Sequence, residues 1–281
     1  MIVVTGATGN LGGQIVDLLP AADLGVSVRE PAKAAHLAAR GMRVRRGDFT
    51  DPASLTSAFE GADQVLIVSA SIRDSDTAIA ANRAAIDAAR TVGVKRIVYT
   101  GHQAAAHRSL FAPMPVHAAT EDYLAESGVP YTVLRNGFYV TTLAFYLPQA
   151  LATGVLALPA DGPVSWTAHA DLAEAAVAAL TSADLLDGVT PPLTGPAAVD
   201  LAEVAQILTD VTGREFTRVV VDDDEWRATA GGFADFTLGM FRAARAGEFA
   251  VTDPILAKAI GRPATPVREF VERFVAAAQP E

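Results

Sequence analysis

Residues 6–12 read Gly-Ala-Thr-Gly-Asn-Leu-Gly, between a short apolar run at residues 2–5 and a helical pattern. Glycines at 6, 9 and 12 in that setting suit the diphosphate of a dinucleotide. Gly6 permits the tight turn, Gly9 lets the diphosphate approach the backbone, and Gly12 lets helix and strand pack closely. The helix amino end then presents free N–H groups to the phosphates. The next apolar run ends in VSVREPAK, which places Arg29 and Lys33 where a ribose 2′ substituent is read. Two cations suit a 2′-phosphate, and so NADP(H) rather than NAD(H). A competing reading takes Glu30 as the acid that accepts from ribose hydroxyls and leaves Arg29 solvated. Gly47-Asp48-Phe49 ends the third run, where adenine lies; Asp48 would accept from its amino group while Phe49 packs beside it. Ser69, Ala70 and Ser71 end the fourth, along the path of the diphosphate and nicotinamide ribose, although plain packing also explains small residues there.

Groups able to handle a proton come next. Thr100 and His102 end the fifth apolar run, His117 opens a helical pattern, and Tyr139 follows the sixth run. Imidazole titrates near neutrality, which makes both histidines candidate donors; the plain alternative is a helix-start or solvated histidine. Glu121 stands one helical turn after His117, so the two could pair on one face. They supply only two metal ligands and no third is evident, so no metal is expected. Asp222-Asp223-Asp224-Glu225 most simply stabilises a helix amino end. Phe233, Phe236, Met240 and Phe241 recur at helical spacing and read as core. The sharper alternative is a mobile apolar wall over a flat substrate, with Gly231, Gly232 and Gly247 as hinges and Trp166, beside His169, lining the same cleft.

The elements that must position these groups alternate strictly through about residue 135. Short apolar runs are followed by helical patterns, which implies parallel strand–helix–strand crossovers. Asp51-Pro52 reads as an N-cap before a first-turn proline, and Gly41, Gly93 and Gly128 as helix ends. Asp171-x-x-Glu174 and Asp200-x-x-Glu203 both fit a carboxylate cap with an acid three residues on, with a short strand PPLTG between the two helices. After Asn136 the alternation loosens, and residues 263–278 read as a good amphipathic helix. The expected fold is therefore α/β, a Rossmann-type doubly wound parallel sheet with a smaller C-terminal α+β substrate lobe. Residues 1–138 would form the NADP-binding domain and residues 139–281 a mainly substrate-facing lobe, with interleaving into the sheet an alternative.

The chain has 281 residues, 51% hydrophobic and 19% charged, which suits a globular protein with a large core. Its net charge of −10 argues against nucleic acid or an anionic membrane as partner. Charged residues, Gly or Pro interrupt every apolar run before bilayer length, and no leader-like start is read, so a cytoplasmic protein is expected. Zero cysteines exclude disulfides, thiolate metal sites and a Cys nucleophile. A homodimer is compatible with the sequence and not demanded by it.

The segments TGATGNLG, VREPAKA, RGDFTD, YTG, HAATEDYLAESGVPYTVLRNGFY and IGRPATPVREFV resemble the NmrA-like branch of atypical short-chain dehydrogenases. Within that branch the resemblance is closest to type-2 NADPH:quinone oxidoreductases, over nearly the full length. It implies NADPH across the sheet edge, with Gly6, Thr8, Gly9, Asn10 and Leu11 at the diphosphate and Arg29 and Lys33 at the 2′-phosphate. It also implies Asp48 and Phe49 at adenine, and Asn136, Gly137, Phe138 and Tyr139 near the nicotinamide. One departure is Gly101, where relatives often carry Ser. Another is His117-Ala-Ala-Thr-Glu121, where a short-chain dehydrogenase would carry Tyr-x-x-x-Lys. Reduction of a simple ketone makes a strongly basic alkoxide that needs such an acid. A quinone gives a delocalised monoanion that can wait for a proton. The expected function is thus direct hydride transfer from NADPH to a small, planar, conjugated acceptor such as a quinone. The alternatives are a non-catalytic NADP(H)-binding redox sensor and a pathway-specific reductase of an aromatic secondary metabolite.

Overall fold

The computed structural model describes residues 1–182 and 186–278. Its strands are β1 (Ile2–Thr5), β2 (Leu24–Val28), β3 (Arg43–Arg46), β4 (Gln64–Ile67), β5 (Arg96–His102), β6 (Tyr131–Asn136), β7 (Phe138–Tyr139), β8 (Val155–Pro159), β9 (Trp166–Thr167), β10 (Gly188–Val189) and β11 (Thr217–Val221). The helices are α1 (Asn10–Leu18), α2 (Ala35–Ala39), α3 (Pro52–Phe59), α4 (Ser75–Thr91), α5 (Pro113–Glu126) and α6 (Leu147–Thr153). There follow α7 (His169–Thr181), α8 (Leu201–Thr212), α9 (Asp223–Thr229), α10 (Ala234–Arg245), α11 (Ile255–Ile260) and α12 (Val267–Ala278).

The central sheet has seven strands in the order β10-β6-β5-β4-β1-β2-β3, with every pair parallel. A parallel sheet needs cover on both faces, which is why its inner strands are mainly apolar, while the edge strand β3 reads Arg43-Val44-Arg45-Arg46. The period of two divides them. Val4, Val26, Leu66, Val98 and Leu134 pack with α1 and α7, while Val3, Val65, Ile67, Ile97 and Val133 pack with α3, α4 and α5. A third cluster fills the second layer, built from α6, α8, α10, α12 and the pair β8–β11. Residues beyond 139 serve both layers, because α7 lies on α1 and β10 extends the central sheet. No helix among the described residues is long and apolar enough to cross a membrane.

Local signals act where the chain chemistry places them. Asp51 accepts from Ser54 N, Asp200 and Glu203 complete a capping box, and Asp222 accepts from Asp224 N and Glu225 N. Gly41, Gly93 and Gly128 all have positive φ at helix ends. Asp171 is different. The helix begins two residues earlier, and Asp171 lies within its first turn, fully buried, accepting from Thr265 N at 2.6 Å and Thr265 Oγ1 at 3.0 Å. It also meets Arg262 Nη2 at 2.7 Å, so it is an interior tie and not a cap. PPLTG is likewise not the strand: β10 precedes it, and only Leu193 bridges to Asn136. The helix carrying His117 starts four residues earlier, at Pro113.

Candidate active site

The β1–α1 turn is built for an anion. Gly6 takes φ 64°, which a side chain would resist, and Gly9 N closes the turn on Gly6 O at 2.9 Å. A Cβ on Gly12 would stand 2.3 Å from Gly6 O, so helix and turn touch with no room for a methyl group. No side chain caps α1, which leaves its first amides to other acceptors. Thr8, Gly9 and Asn10 are exposed there, whereas Leu11 and Gly12 are buried. Leu11 is a core residue, so its side chain is not available to a ligand and only its backbone can take part. Asn10 Oδ1 is held by Gln14 Nε2 at 2.7 Å.

Arg29 is exposed just past β2, and no carboxylate among the described residues pairs with it. Lys33 is bound to Glu30 at 2.7 Å, an exposed pair. Asp48 Oδ1 accepts from Thr50 N at 2.9 Å and Thr50 Oγ1 at 2.8 Å, and these bonds lower its pKa. Phe49 packs half-buried on the α3–α4 face.

The end of β4 is pinned from beneath. Val68 N donates to Thr5 Oγ1 at 2.8 Å, Ser69 N to Thr100 Oγ1 at 2.9 Å, and Ala70 N to Asn82 Oδ1 at 3.0 Å. Ser71 lies beyond these ties and is exposed. Thr100 is thus a strut, with its side chain buried and its hydroxyl oxygen accepting from Ser69 N.

At the ends of β5 and β6 the structure brings His102 and His117 together, with ring centroids 6.0 Å apart and planes 27° from parallel. His117 Nδ1 meets Tyr99 Oη at 3.0 Å, and His102 Nδ1 accepts from Ala104 N at 3.2 Å. Burial lowers the His117 pKa to about 4. Burial, with the neighbouring His117 second, holds His102 well below the imidazole range. Neither is an imidazolium near neutral pH, so the expectation of acids titrating there is corrected. Glu121 does not orient His117 either. Its two oxygens take Arg135 Nε at 3.1 Å and Nη2 at 2.6 Å.

Tyr139 goes elsewhere. Its ring lies 4.2 Å from that of His169 and packs with the α1–α7 cluster, and burial raises its pKa. Asn136 is buried with Oδ1 unpartnered, at the carboxyl end of β6. Gly137 N donates to Leu193 O at 2.7 Å, and the turn there is closed by Thr167. Phe138 faces the second layer, 5.6 Å from His102, 4.9 Å from Phe249 and 5.5 Å from Trp166.

Phe111 continues this wall of rings outward, to Phe138, Phe249 and Phe236. Of the four apolar residues at helical spacing, only Met240 and Phe241 are core. Phe233 and Phe236 are 57% and 41% exposed, so the all-core expectation fails for these two. Arg73, in the loop after β4, covers the Phe233 ring at 3.7 Å, bridging the two layers. Trp166 packs behind Phe138 with Nε1 donating to Val199 O at 2.9 Å, and it lines an apolar cavity together with Phe138, Met240 and Phe241. Tyr99, Asn82, Phe111 and Phe249 also belong to the site, and no sequence motif marks them. Asn82 alone left a signal, being a polar residue on the buried stripe Ala78, Ala85, Ile86 and Ala89 of α4.

Comparison with known proteins follows the same lines. The model of the NmrA-like family matches residues 1–238. Quinone oxidoreductase 2 of Escherichia coli (strain K12) is 35% identical over 287 residues, covering 98% of each chain. A crystal structure of the NADPH-dependent quinone oxidoreductase of Escherichia coli complexed with NADPH has a TM-score of 0.91 at 34% identity, covering 98% of this chain and 100% of that one. The Citrobacter sp. triphenylmethane reductase complexed with NADP(H) has a TM-score of 0.90 at 34% identity, covering 97% and 99%. With a family match over most of its length and full-length likeness to such relatives, the chain belongs to the NmrA-like family.

Proposed function

We propose that this chain is an NADPH-dependent oxidoreductase that passes hydride directly to a quinone or similarly flat conjugated acceptor, with no Tyr-x-x-x-Lys relay. The residues present fit the cofactor. The uncapped first turn of α1 and the Gly6–Gly12 contact suit a diphosphate, Arg29 is an unpaired cation where a 2′-phosphate is read, and Asn136 Oδ1 is a buried acceptor free for an amide donor. When bound, NADPH supplies the hydride. The protein's part is to hold donor and acceptor in close approach and to exclude water. Two relatives with NADPH or NADP(H) in their structures, named for quinone and triphenylmethane reduction, support the same class.

One observation carries the acceptor class. The side chains gathered at the ends of β5 and β6 are rings, His102, His117, Phe138, Phe111 and Phe249, and no lysine stands among them. Lys95 lies at the opposite end of β5, paired with Asp63 at 2.6 Å, and Lys33 is at the ribose side. Flat rings complement a flat acceptor, and the missing ammonium disfavours an alkoxide product.

The test is NADPH consumption with quinones, conjugated enones and simple ketones, alongside nucleotide affinity. Turnover is expected with the first two classes and not with ketones. Tight NADP(H) binding without turnover of any acceptor would instead indicate a redox sensor. Arg29→Ala should weaken NADPH by about 10- to 100-fold, the worth of a charge-assisted hydrogen bond, and leave NADH little changed. Fluorescence titration with both nucleotides measures this; equal losses would restore Glu30 as the ribose ligand.

A further inference from the structure

We infer that His102 and His117 jointly receive the acceptor's oxygen as two neutral hydrogen-bond donors, and that Tyr99 is the positioning residue that sets His117 for this role. The inference deepens the proposed reduction and rests on it.

Proton bookkeeping in the buried network leads to the tautomers. A backbone N–H can only donate, so Ala70 N at 3.0 Å fixes which end of the Asn82 amide is oxygen. Asn82 Nδ2 then points at Tyr99 Oη, 3.4 Å, and at Thr120 Oγ1, 3.2 Å. The Thr120 hydroxyl gives its own proton to Val116 O at 2.8 Å. Tyr99 Oη receives from Asn82, so its proton is free to go to His117 Nδ1 at 3.0 Å. We assign that proton to the bond with His117, which leaves Nδ1 bare and the ring's own proton on Nε2. His102 reaches the same tautomer independently, because its Nδ1 accepts from Ala104 N.

Both Nε2–H groups lack a protein partner among the described residues, and neither is among the fully buried unpartnered atoms. Both histidines are half-buried. With centroids 6.0 Å apart, the two rings are close enough to share one acceptor oxygen at about 3 Å from each Nε2, provided the two N–H bonds converge on it. The surrounding charges are already committed. Glu121 is bound to Arg135, Asp122 to His107 and Asp87 to Tyr123, while burial raises the pKa values of the Tyr99 and Tyr139 phenols and lowers that of His169.

The chemistry needs such a pair. In the reduction, the C–H bond of the dihydronicotinamide breaks with its electron pair and a bond to that hydrogen forms on the acceptor. The acceptor gains two electrons, its conjugated oxygen becomes an anion, and the nicotinamide is left oxidised. A proton from water completes the hydroquinone. Two preorganised donors stabilise that oxygen as charge develops, without being consumed. Neutral imidazoles can do this across a wide pH range, because their use does not depend on a titration.

Nitrogen-15 NMR of the histidine rings tests the arrangement without turnover. Near neutral pH, His102 and His117 should both be neutral with the proton on Nε2. A proton on Nδ1, or titration near the ordinary imidazole value, would overturn the inference. Adding para-nitrophenolate, a stable oxyanion, to the NADP⁺-loaded protein should move both Nε2–H signals, and movement of neither would overturn the receptor. Tyr99→Phe should disturb the His117 tautomer and spare that of His102. It should lower kcat by about 10- to 100-fold with NADPH affinity within about twofold, as loss of one oriented donor predicts. An altered tautomer with unchanged kcat would remove Tyr99 as a positioning residue. Absence of turnover by the wild-type protein would sink the reductase reading, while the NMR result would still decide on the two donors.

Discussion

Gly12→Ala is expected to destabilise the fold by about 2–4 kcal/mol and to abolish measurable dinucleotide binding. The added Cβ would stand 2.3 Å from Gly6 O, 2.7 Å from Gly6 C and 3.2 Å from Ala7 N. All three are backbone atoms, so no side chain can swing away. Either α1 moves off the sheet, opening the cluster of Leu11, Ile15 and Val16, or the Gly6 turn shifts and its amides no longer converge. Gly13 provides the control from the same helix. Its Cβ would meet only Ala7 O, at 3.4 Å, so Gly13→Ala should be neutral or stabilise by up to about 1 kcal/mol through helix propensity. Urea unfolding and NADPH titration of the two variants measure the contrast. Equal stability of the two would mean that the close approach does not hold in solution.

The contrast marks where sequence reading succeeds. The close helix–strand contact of Gly12 is legible from position alone, because strand, turn and helix follow one another within a few residues. Asp51, Asp200 and the strand alternation were readable for the same reason: their partners are local, and period or spacing reports them. Asp171 looked identical to Asp200 at that level, each with Glu three residues on. They differ through Thr265 and Arg262, more than 90 residues away in the chain, which draw the Asp171 carboxylate inward. Phe236 and Phe241 stand on one helix, and partners outside it decide which is covered: Tyr146 and Trp226 pack on Phe241, while Phe236 meets Phe111 and stays 41% exposed. The site follows this rule. Tyr99 reads as one more apolar residue of β5, and only when α4 and α5 pack over that face do Asn82 and His117 give its hydroxyl a role.

Arg135→Met should be the other large effect, because it strands a carboxylate on α5 whose strong partner is this one guanidinium on β6. The Glu121 side chain is 9% exposed and Arg135 30%, so the loss should be about 2–4 kcal/mol, somewhat below that for a fully buried pair. The pair explains two local choices. Helical spacing offers Glu121 to His117, yet a bidentate guanidinium satisfies both oxygens in a way that one imidazole nitrogen cannot. Gly101 lies between them on β5, where a Cβ would be 2.7 Å from Val133 Cγ1 and 3.3 Å from Glu121 Oε1. A serine in place of Gly101 would crowd the ion pair, so the missing hydroxyl is the cost of running that pair over the strand. The same pair clamps α5, and with it His117, against β6. Glu121→Gln added to Arg135→Met should recover at least half of the lost stability, since no charge is then left uncompensated. If the double variant is as unstable as Arg135→Met alone, lost side-chain packing and not the stranded charge is responsible. If Arg135→Met keeps wild-type kcat despite its lower stability, the clamp does not place His117.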